Sequence, residues 1–212
     1  SFALAQDNPS IGMITAIEGV ADVTRSGQDK VLLKDHDSVY LNDRIRTKSY
    51  SKVEITFQDK SVVKIAPSSC ITIDEYALDS KNKRESARIM LSRGKLEAIV
   101  SKTSRPETFV INTPNAKGTV KGSDIFVSYQ GGNTSVLVKE GLMAIASQAL
   151  PDTKIDVRRG DSSLVSFSEA PTEARPFLDA DLARYKKEVE PSLTKKWVSF
   201  KGTIQMTASI TI

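Results

Sequence analysis

Histidine and cysteine, the residues that most often act as a general base and as a thiol nucleophile, occur only once each in this 212-residue chain. His36 lies between Asp35 and Asp37. Neighbouring side chains on an extended segment point in diverging directions, so this stretch predicts a solvated turn rather than a metal site. A single histidine also leaves little for a Ser-His or Cys-His nucleophile, and no Gly-x-Ser-x-Gly segment occurs. We therefore expect no catalytic residue, no metal and no cofactor, and we interpret the chain as a non-enzyme.

Two further segments could supply a reactive thiol or a phosphate-binding loop. In both, the neighbouring residues predict a β-strand instead of such a site. Cys70 alternates with strand-like neighbours, which predicts a buried, inert thiol. Residues 118–123 have the composition of a phosphate-binding loop, but Gly122 follows Lys121 instead of preceding it. The next residues, 124–127, predict a strand where such a loop would open a helix.

Basic residues cluster in one polar stretch that we predict to be a solvated hairpin tip. The cluster consists of Lys81, Lys83, Arg84, Arg88 and Arg93. Proteins that bind single-stranded nucleic acid interleave such cations with aromatic rings, whereas aromatic residues make up only 6% of this chain and the net charge is a modest +4. The pattern favours a protein partner or an anionic envelope polymer over nucleic acid, and we predict that these five residues form the partner-binding surface.

The elements that position these residues are predicted to be short β-strands. Apolar and polar residues alternate to about residue 168, as in Val53, Ile55 and Phe57. Turn-forming residues interrupt this alternation every ~8–12 residues, a spacing typical of an all-β sandwich or barrel.

The pattern changes after residue 168. Residues 176–190 place Phe177, Leu182, Tyr185 and Val189 at helical spacing, with acidic residues early and basic residues late, which predicts a helix. Residues 203–212 alternate cleanly and predict a terminal strand. We therefore divide the chain into a leader (1–10), a β domain (11–168) and a C-terminal extension (169–212) with a connector, this helix and this strand.

The first residues suggest export. Ala3-Leu4-Ala5 has the small-x-small pattern that signal peptidase accepts, so we interpret residues 1–10 as a signal-peptide remnant and leader. No stretch approaches the ~18–20 apolar residues of a membrane-spanning helix. The expected location is the periplasm or the outside of a bacterial cell.

Ordered motifs in the β domain resemble the FecR-like domain family, named for the ferric-citrate sensory regulator of bacterial cell-surface signalling. The motifs are residues 17–23 (IEGVADV), 42–47 (NDRIRT), 53–61 (VEITFQDKS), 93–96 (RGKL), 111–116 (INTPNA), 120–125 (VKGSDI) and 136–141 (VLVKEG). Residues 53–61 are similar to a strand of the family that is apolar and ends in Asp-Gly-Ser. The resemblance covers about residues 12–165.

The most specific part of the resemblance concerns one pattern of the family, which is Thr-Pro, followed by Val-Arg-Gly-Thr-x-Phe and a later Glu-Gly. The residues at these positions are Thr113, Pro114, Lys121, Gly122, Ser123, Glu140 and Gly141. Lys121 replaces the arginine and cannot make its planar, two-pronged bonds. We predict structural roles for these seven residues.

The resemblance implies an antiparallel two-sheet β-sandwich of jelly-roll type that lies outside the cytoplasmic membrane and contacts other proteins. With the export pattern, it predicts a stand-alone, non-catalytic envelope domain that binds a protein or polymer partner, with a possible part in envelope signalling. The alternative is a structural module of a larger secreted or envelope protein.

Overall fold

The computed structural model describes residues 9–25, 28–102, 109–121 and 124–192. Within these residues the chain forms strands and one α-helix, which confirms a mainly β fold. The elements are β1 (Gly12–Glu18), β2 (Ala21–Thr24), β3 (Val31–Leu32), β4 (Ser38–Val39), β5 (Arg44–Thr47), β6 (Lys52–Phe57), β7 (Val62–Ile65), β8 (Cys70–Leu78), β9 (Arg84–Ile99), β10 (Phe109–Asn112), β11 (Ala116–Val120), β12 (Asp124–Gln130), β13 (Asn133–Glu140), β14 (Leu142–Ser147), β15 (Lys154–Arg158), β16 (Asp161–Ser166), β17 (Arg175–Pro176) and α1 (Asp179–Val189).

The strands pair into two ladders that share one strand. Ladder A has the order β4-β1-β6-β7-β9-β12-β13-β16-β17. Ladder B has the order β3-β2-β5-β8-β9-β10-β11-β14-β15. The first half of β9 belongs to ladder B and the second half to ladder A, so this 16-residue strand joins all the others.

The prediction of a purely antiparallel arrangement is wrong, because β10 runs parallel to β9. Phe109 is opposite Ala87 and Asn112 is opposite Met90 in this pair. A parallel neighbour requires a crossover in the chain. The second half of β9 leaves ladder B, and the chain then returns to run beside the first half in the same direction. The jelly-roll arrangement stays a prediction.

Strand β9 passes from ladder B to ladder A at Gly94. This glycine has φ +92°, a left-handed conformation that other residues rarely adopt. A side chain here would also collide with Ser69, since a Cβ atom would lie 2.1 Å from the Ser69 Oγ. Ser69 Oγ accepts a hydrogen bond from the Lys95 backbone N–H at 3.0 Å. Gly94 therefore allows the strand to pass from one ladder to the other against a close neighbour.

The core follows from the alternation in the sequence. In β6 every second residue is buried, and Val53, Ile55 and Phe57 are at most 1% exposed. Similar residues from both ladders join one large apolar cluster that includes Ile14, Ile71, Leu96, Ile125 and Val136. Removal of this apolar surface from water is the main force that holds the ladders together.

The single helix of the described residues, α1, lies within the predicted range 176–190. Asp179 and Asp181 occupy its first turn, Lys186 and Lys187 its last, and this order suits the helix dipole. It packs on the outward face of ladder A through Tyr185 and Val189. The predicted terminal strand 203–212 and the export pattern at Ala3-Leu4-Ala5 lie outside the described residues.

Candidate partner-binding surfaces

The predicted hairpin tip lies between β8 and β9. The Asp79 carboxylate accepts hydrogen bonds from the backbone N–H groups of Lys83 and Lys81 at 2.9 and 2.8 Å. These bonds lower the pKa of Asp79, since they stabilise its charged form. Lys81 and Lys83 are exposed. Both side chains are therefore accessible to solvent, and their part in partner binding stays a prediction.

Arg84 is a correction to that prediction, because it is buried and only 4% exposed. Its guanidinium forms an ion pair with the Asp59 carboxylate and donates to the Ser61 Oγ at 2.8 Å. The Tyr76 hydroxyl also donates to Asp59, at 2.7 Å. Burial raises the pKa of Tyr76, and the charge of Asp59 raises it further. Arg84 thus holds the interior together and offers nothing to a partner.

Arg88 and Arg93 are engaged with neighbours on the surface. The Arg88 guanidinium lies 2.5 Å from the Glu75 carboxylate. The Arg93 Nε donates to the backbone carbonyl of Ser68 at 3.1 Å. Arg93 is ten residues beyond Lys83 along an extended strand, a span of roughly 30 Å. The five predicted cations therefore do not form one continuous surface.

The Thr-Pro motif lies in the turn between β10 and β11, where its threonine side chain forms buried hydrogen bonds. Thr113 is buried, and its Oγ1 lies 2.6 Å from the Thr134 Oγ1 and accepts the Ala116 backbone N–H at 3.0 Å. Asn115, beyond Pro114, donates from its Nδ2 to the carbonyls of Gly132 and Val165 at 2.8 and 2.9 Å. This turn therefore ties the β10–β11 hairpin to β13 and β16.

The remaining motif residues lie at the other end of these strands. Gly141 has φ +88° and joins β13 to β14 directly after the exposed Glu140. The Lys121 backbone N–H donates to the Leu142 carbonyl at 2.7 Å, and the Lys121 side chain is exposed. Gly122 and Ser123 lie outside the described residues.

A groove that the sequence analysis missed lies on the outward face of ladder B, and we call it the β14 groove. Ala144 and Ala146 of β14 form its floor. Cross-strand pairing places Lys117 and Lys154 on either side of Ala146, and Thr119 and Asp156 on either side of Ala144. Leu142 lies between Arg158 of β15, its cross-strand partner, and Lys121, whose backbone N–H donates to the Leu142 carbonyl. Small floor residues between longer side chains leave a cavity of about 560 Å³.

The β14 groove is positively charged at both ends. Lys117 and Lys154 are exposed at one end, and Lys121 is exposed at the other, where the exposed Arg158 lies outside the cavity on the far side of Leu142. Asp156 lies between the ends, and Asp152 lies in the turn before β15. Within the described part of the chain, Lys117, Lys154 and Arg158 make no ion pair, so their charges are available to a ligand. The alternation Lys-x-Thr-x-Lys and Lys-x-Asp-x-Arg on two strands was the sequence signal for this groove.

A cluster of buried charges lies beside the end of α1. The Lys64 Nζ is 3.3 Å from the Glu97 Oε2 and 2.5 Å from the Glu190 Oε2, and Lys139 pairs with Asp124. Glu97 is 2% exposed, and its Oε2 has no hydrogen-bond partner. Burial raises the pKa of Glu97 to about 7, the charge of Asp124 raises it as well, and Lys64 opposes them.

The residues considered for catalysis lie apart from one another. His36 is in an exposed turn, as predicted, with its Nδ1 3.6 Å from Asp35. Cys70 is 3% exposed, and its Sγ accepts a hydrogen bond from the Arg44 Nε at 3.3 Å. Within the described ranges, no group of three or more His, Cys, Asp or Glu residues is placed to hold a metal ion. In the same ranges, no helix has the length and apolar character needed to cross a membrane.

Residues 43–143 match the family model described as FecR protein. This match confirms the resemblance to the FecR family that the sequence shows.

Solved structures share the fold. Two crystal structures of a protein described as a putative anti-sigma factor from Parabacteroides distasonis ATCC 8503 align with TM-scores of 0.54 and 0.53, at 16% and 15% identity. Each alignment covers 66% of this chain and 62% of that protein. At this identity the likeness concerns the fold alone. A comparison with curated proteins gives no match.

Proposed function

We propose that this chain is a non-catalytic, regulatory FecR-type domain that binds a partner protein in the bacterial cell envelope. The family match supports this role, since FecR proteins are envelope-associated regulators. The solved structures with this fold are described as an anti-sigma factor, which is a regulatory protein. Location in the periplasm is part of the proposal.

The β14 groove is the observation that carries the proposal. Its apolar floor can take the side chains of a bound segment, and cations at both ends can attract carboxylates. Opposite charges steer two proteins together and select the correct partner. We therefore expect an acidic segment of the partner protein to lie along β14.

The experiment uses a photo-crosslinking amino acid at Thr119, in the middle of the groove, in the native bacterium. We expect a cross-linked protein in the envelope fraction, identified by mass spectrometry, and its loss in the Lys117→Glu/Lys154→Glu variant. Lys30→Glu/Lys34→Glu changes the net charge equally on another surface and should leave the cross-link intact. The same photo-crosslinking amino acid at Tyr50, which is 89% exposed, is the control for cross-links that form by random encounter.

Three outcomes would contradict the proposal. The first is equal cross-linking at Thr119 and Tyr50. The second is a Thr119 cross-link that survives the reversal of both groove lysines. The third is a cross-linked species that proves to be a polymer rather than a protein, which would favour the anionic-polymer prediction instead.

A further inference from the structure

The outward face of ladder A carries an apolar site that α1 occupies. Tyr185 and Val189 of α1 pack on Ala66, Phe126 and Leu137, which come from three different strands or their ends. The Tyr185 and Phe126 rings meet edge to face, with centroids 5.7 Å apart. The Tyr185 hydroxyl lies 3.3 Å from the Ser128 Oγ. We call this set of β residues, together with the lysines described next, the helix dock.

Three lysines of the helix dock surround the C-terminal end of α1. Lys95 pairs with Glu188, and the Lys64 Nζ lies 2.5 Å from the Glu190 Oε2. The Lys52 Nζ donates to the Glu190 backbone carbonyl at 2.8 Å. Cations near the last carbonyls of a helix interact favourably with its dipole. The helix dock thus contacts an aromatic and an aliphatic residue four positions apart, with a carboxylate directly before and directly after the aliphatic residue.

The helix has little stability of its own. It contains 11 residues, and Leu178 at its start makes no side-chain cap. Isolated helices of this length are marginal in water, so α1 depends on the helix dock for its structure. The segment before α1 is hydrogen-bonded to the β body as far as Phe177, whose backbone N–H donates to the Gly160 carbonyl at 3.1 Å, so only the helix itself can leave the helix dock.

We propose that the helix dock is a second interaction site, at which an amphipathic helix of a partner protein, with two carboxylates at its C-terminal end, binds in place of α1. The occupant must have the same pattern as α1, with an aromatic anchor, a branched aliphatic residue one turn later and carboxylates at its C-terminal end. The resident helix competes with it. Because α1 is tethered, its effective concentration is in the millimolar range for a short linker, so partner binding requires release of α1. This proposal does not depend on the β14 groove.

The test uses the full chain and a synthetic peptide of residues 177–192 as the partner surrogate. Ala183 is an exposed position in the interior of α1, and Ala183→Pro breaks the helix without touching the helix dock. Ala180→Pro is the matched control, since proline is tolerated in the first helical turn. Peptide binding is followed by NMR chemical shifts of the isotope-labelled chain.

We expect the Ala183→Pro chain to bind the peptide at least tenfold more tightly than the wild-type and Ala180→Pro chains. The chemical shifts that change when the peptide binds should be those of Ala66, Phe126 and Leu137. A peptide with Glu188→Lys should bind at least tenfold more weakly, and Lys95→Glu in the released chain, which reverses the charge of the Glu188 partner, should restore its binding.

Three results would overturn the proposal. One is a folded Ala183→Pro chain whose helix-dock shifts do not respond to the peptide. Another is equal binding of the charge-reversed peptide. The last is a concentration-dependent wild-type dimer in which each helix dock holds the other copy's α1, as shown by size-exclusion chromatography with light scattering and mixed-isotope NMR. Normal dispersion of the β-strand shifts in Ala183→Pro verifies that its β body is folded.

Discussion

Arg84 and Asp59 form an ion pair in the interior of the domain, although 25 positions separate them in the sequence. Asp59 is in the turn between β6 and β7, and Arg84 begins β9. The Ser101 Oγ donates to Asp59 at 3.1 Å, and the Arg84 Nη2 donates to the Ser101 carbonyl at 3.0 Å. The pair therefore joins three separate parts of the chain.

Removal of one member of the Arg84–Asp59 ion pair should lower the stability of the folded domain. We expect Arg84→Ala to lower the free energy of unfolding by about 3–5 kcal/mol, because it leaves the Asp59 carboxylate buried without its cation. Arg88→Ala on the same strand breaks an exposed pair with Glu75 and should cost at most about 1 kcal/mol. Urea unfolding followed by circular dichroism gives both values. Equal losses in the two variants would show that the buried pair has no special role.

Glu97 should make the stability depend on pH. Its pKa is raised from an ordinary value of 4.5 to about 7, so between these values the folded chain retains a proton that the unfolded chain has lost. The stabilisation from this proton is complete below about pH 4.5 and is lost as the pH rises through 7.

Glu97→Gln imitates the protonated form at every pH. Relative to wild type, we expect this variant to gain stability as the pH rises from 5 to 8, by on the order of 1–3 kcal/mol. The charged groups around Glu97 are Lys64 from β7, Asp124 from β12, which pairs with Lys139 of β13, and Glu190 at the end of α1. Chemical unfolding of both proteins over this pH range tests the prediction, and parallel pH profiles would refute it.

Lys60 adopts a backbone conformation that suits glycine. It has φ +70°, at the position where the motif resembling Asp-Gly-Ser has its glycine. Its side chain is exposed, so Lys60→Gly should relieve strain without loss of packing and raise the free energy of unfolding by roughly 0.5–1 kcal/mol.

Lys117→Gly provides the comparison for Lys60→Gly. Lys117 is also exposed, but it lies within β11 and its φ is not positive. Glycine in a strand interior is unfavourable, so this change should lower stability by a similar amount. Thermal unfolding measures both changes. Destabilisation by Lys60→Gly would contradict the strain argument.

Gly94 should tolerate no side chain. Gly94→Ala forces a positive φ and drives Cβ into Ser69, whereas Gly160→Ala imposes φ +90° with no atom within 4 Å of the new Cβ. Backbone strain alone costs about 1–3 kcal/mol. We expect Gly94→Ala to exceed the cost of Gly160→Ala by at least about 1 kcal/mol, since overpacking adds to the strain. Similar midpoints in guanidinium chloride would mean that Ser69 moves freely.

The β content and the FecR resemblance could be predicted because they depend on local patterns. Val53, Ile55 and Phe57 alternate with polar residues, and this spacing indicates a strand with one buried face whatever its neighbours are. The helix was predictable for a similar reason, since Tyr185 and Val189 are one turn apart. Positive φ at Asn42 and Gly141 likewise falls on residue types that accept it.

The surfaces could not be predicted, because they depend on which strands become neighbours. Arg84 looks solvated among basic residues, and only the fold brings Asp59 to it. The β14 groove needs Lys117 and Lys154 on either side of Ala146, a relationship that crosses 37 positions. The parallel course of β10 has the same origin.

The shared strand β9 has a consequence for how the domain loses its structure. It forms hydrogen bonds with β8 and β10 through its first half and with β7 and β12 through its second half. When either half of β9 loses its hydrogen bonds, one ladder loses a central strand. The other half of β9 is then held less firmly in the second ladder. Opening of one ladder therefore promotes opening of the other, and the β body melts as one cooperative unit.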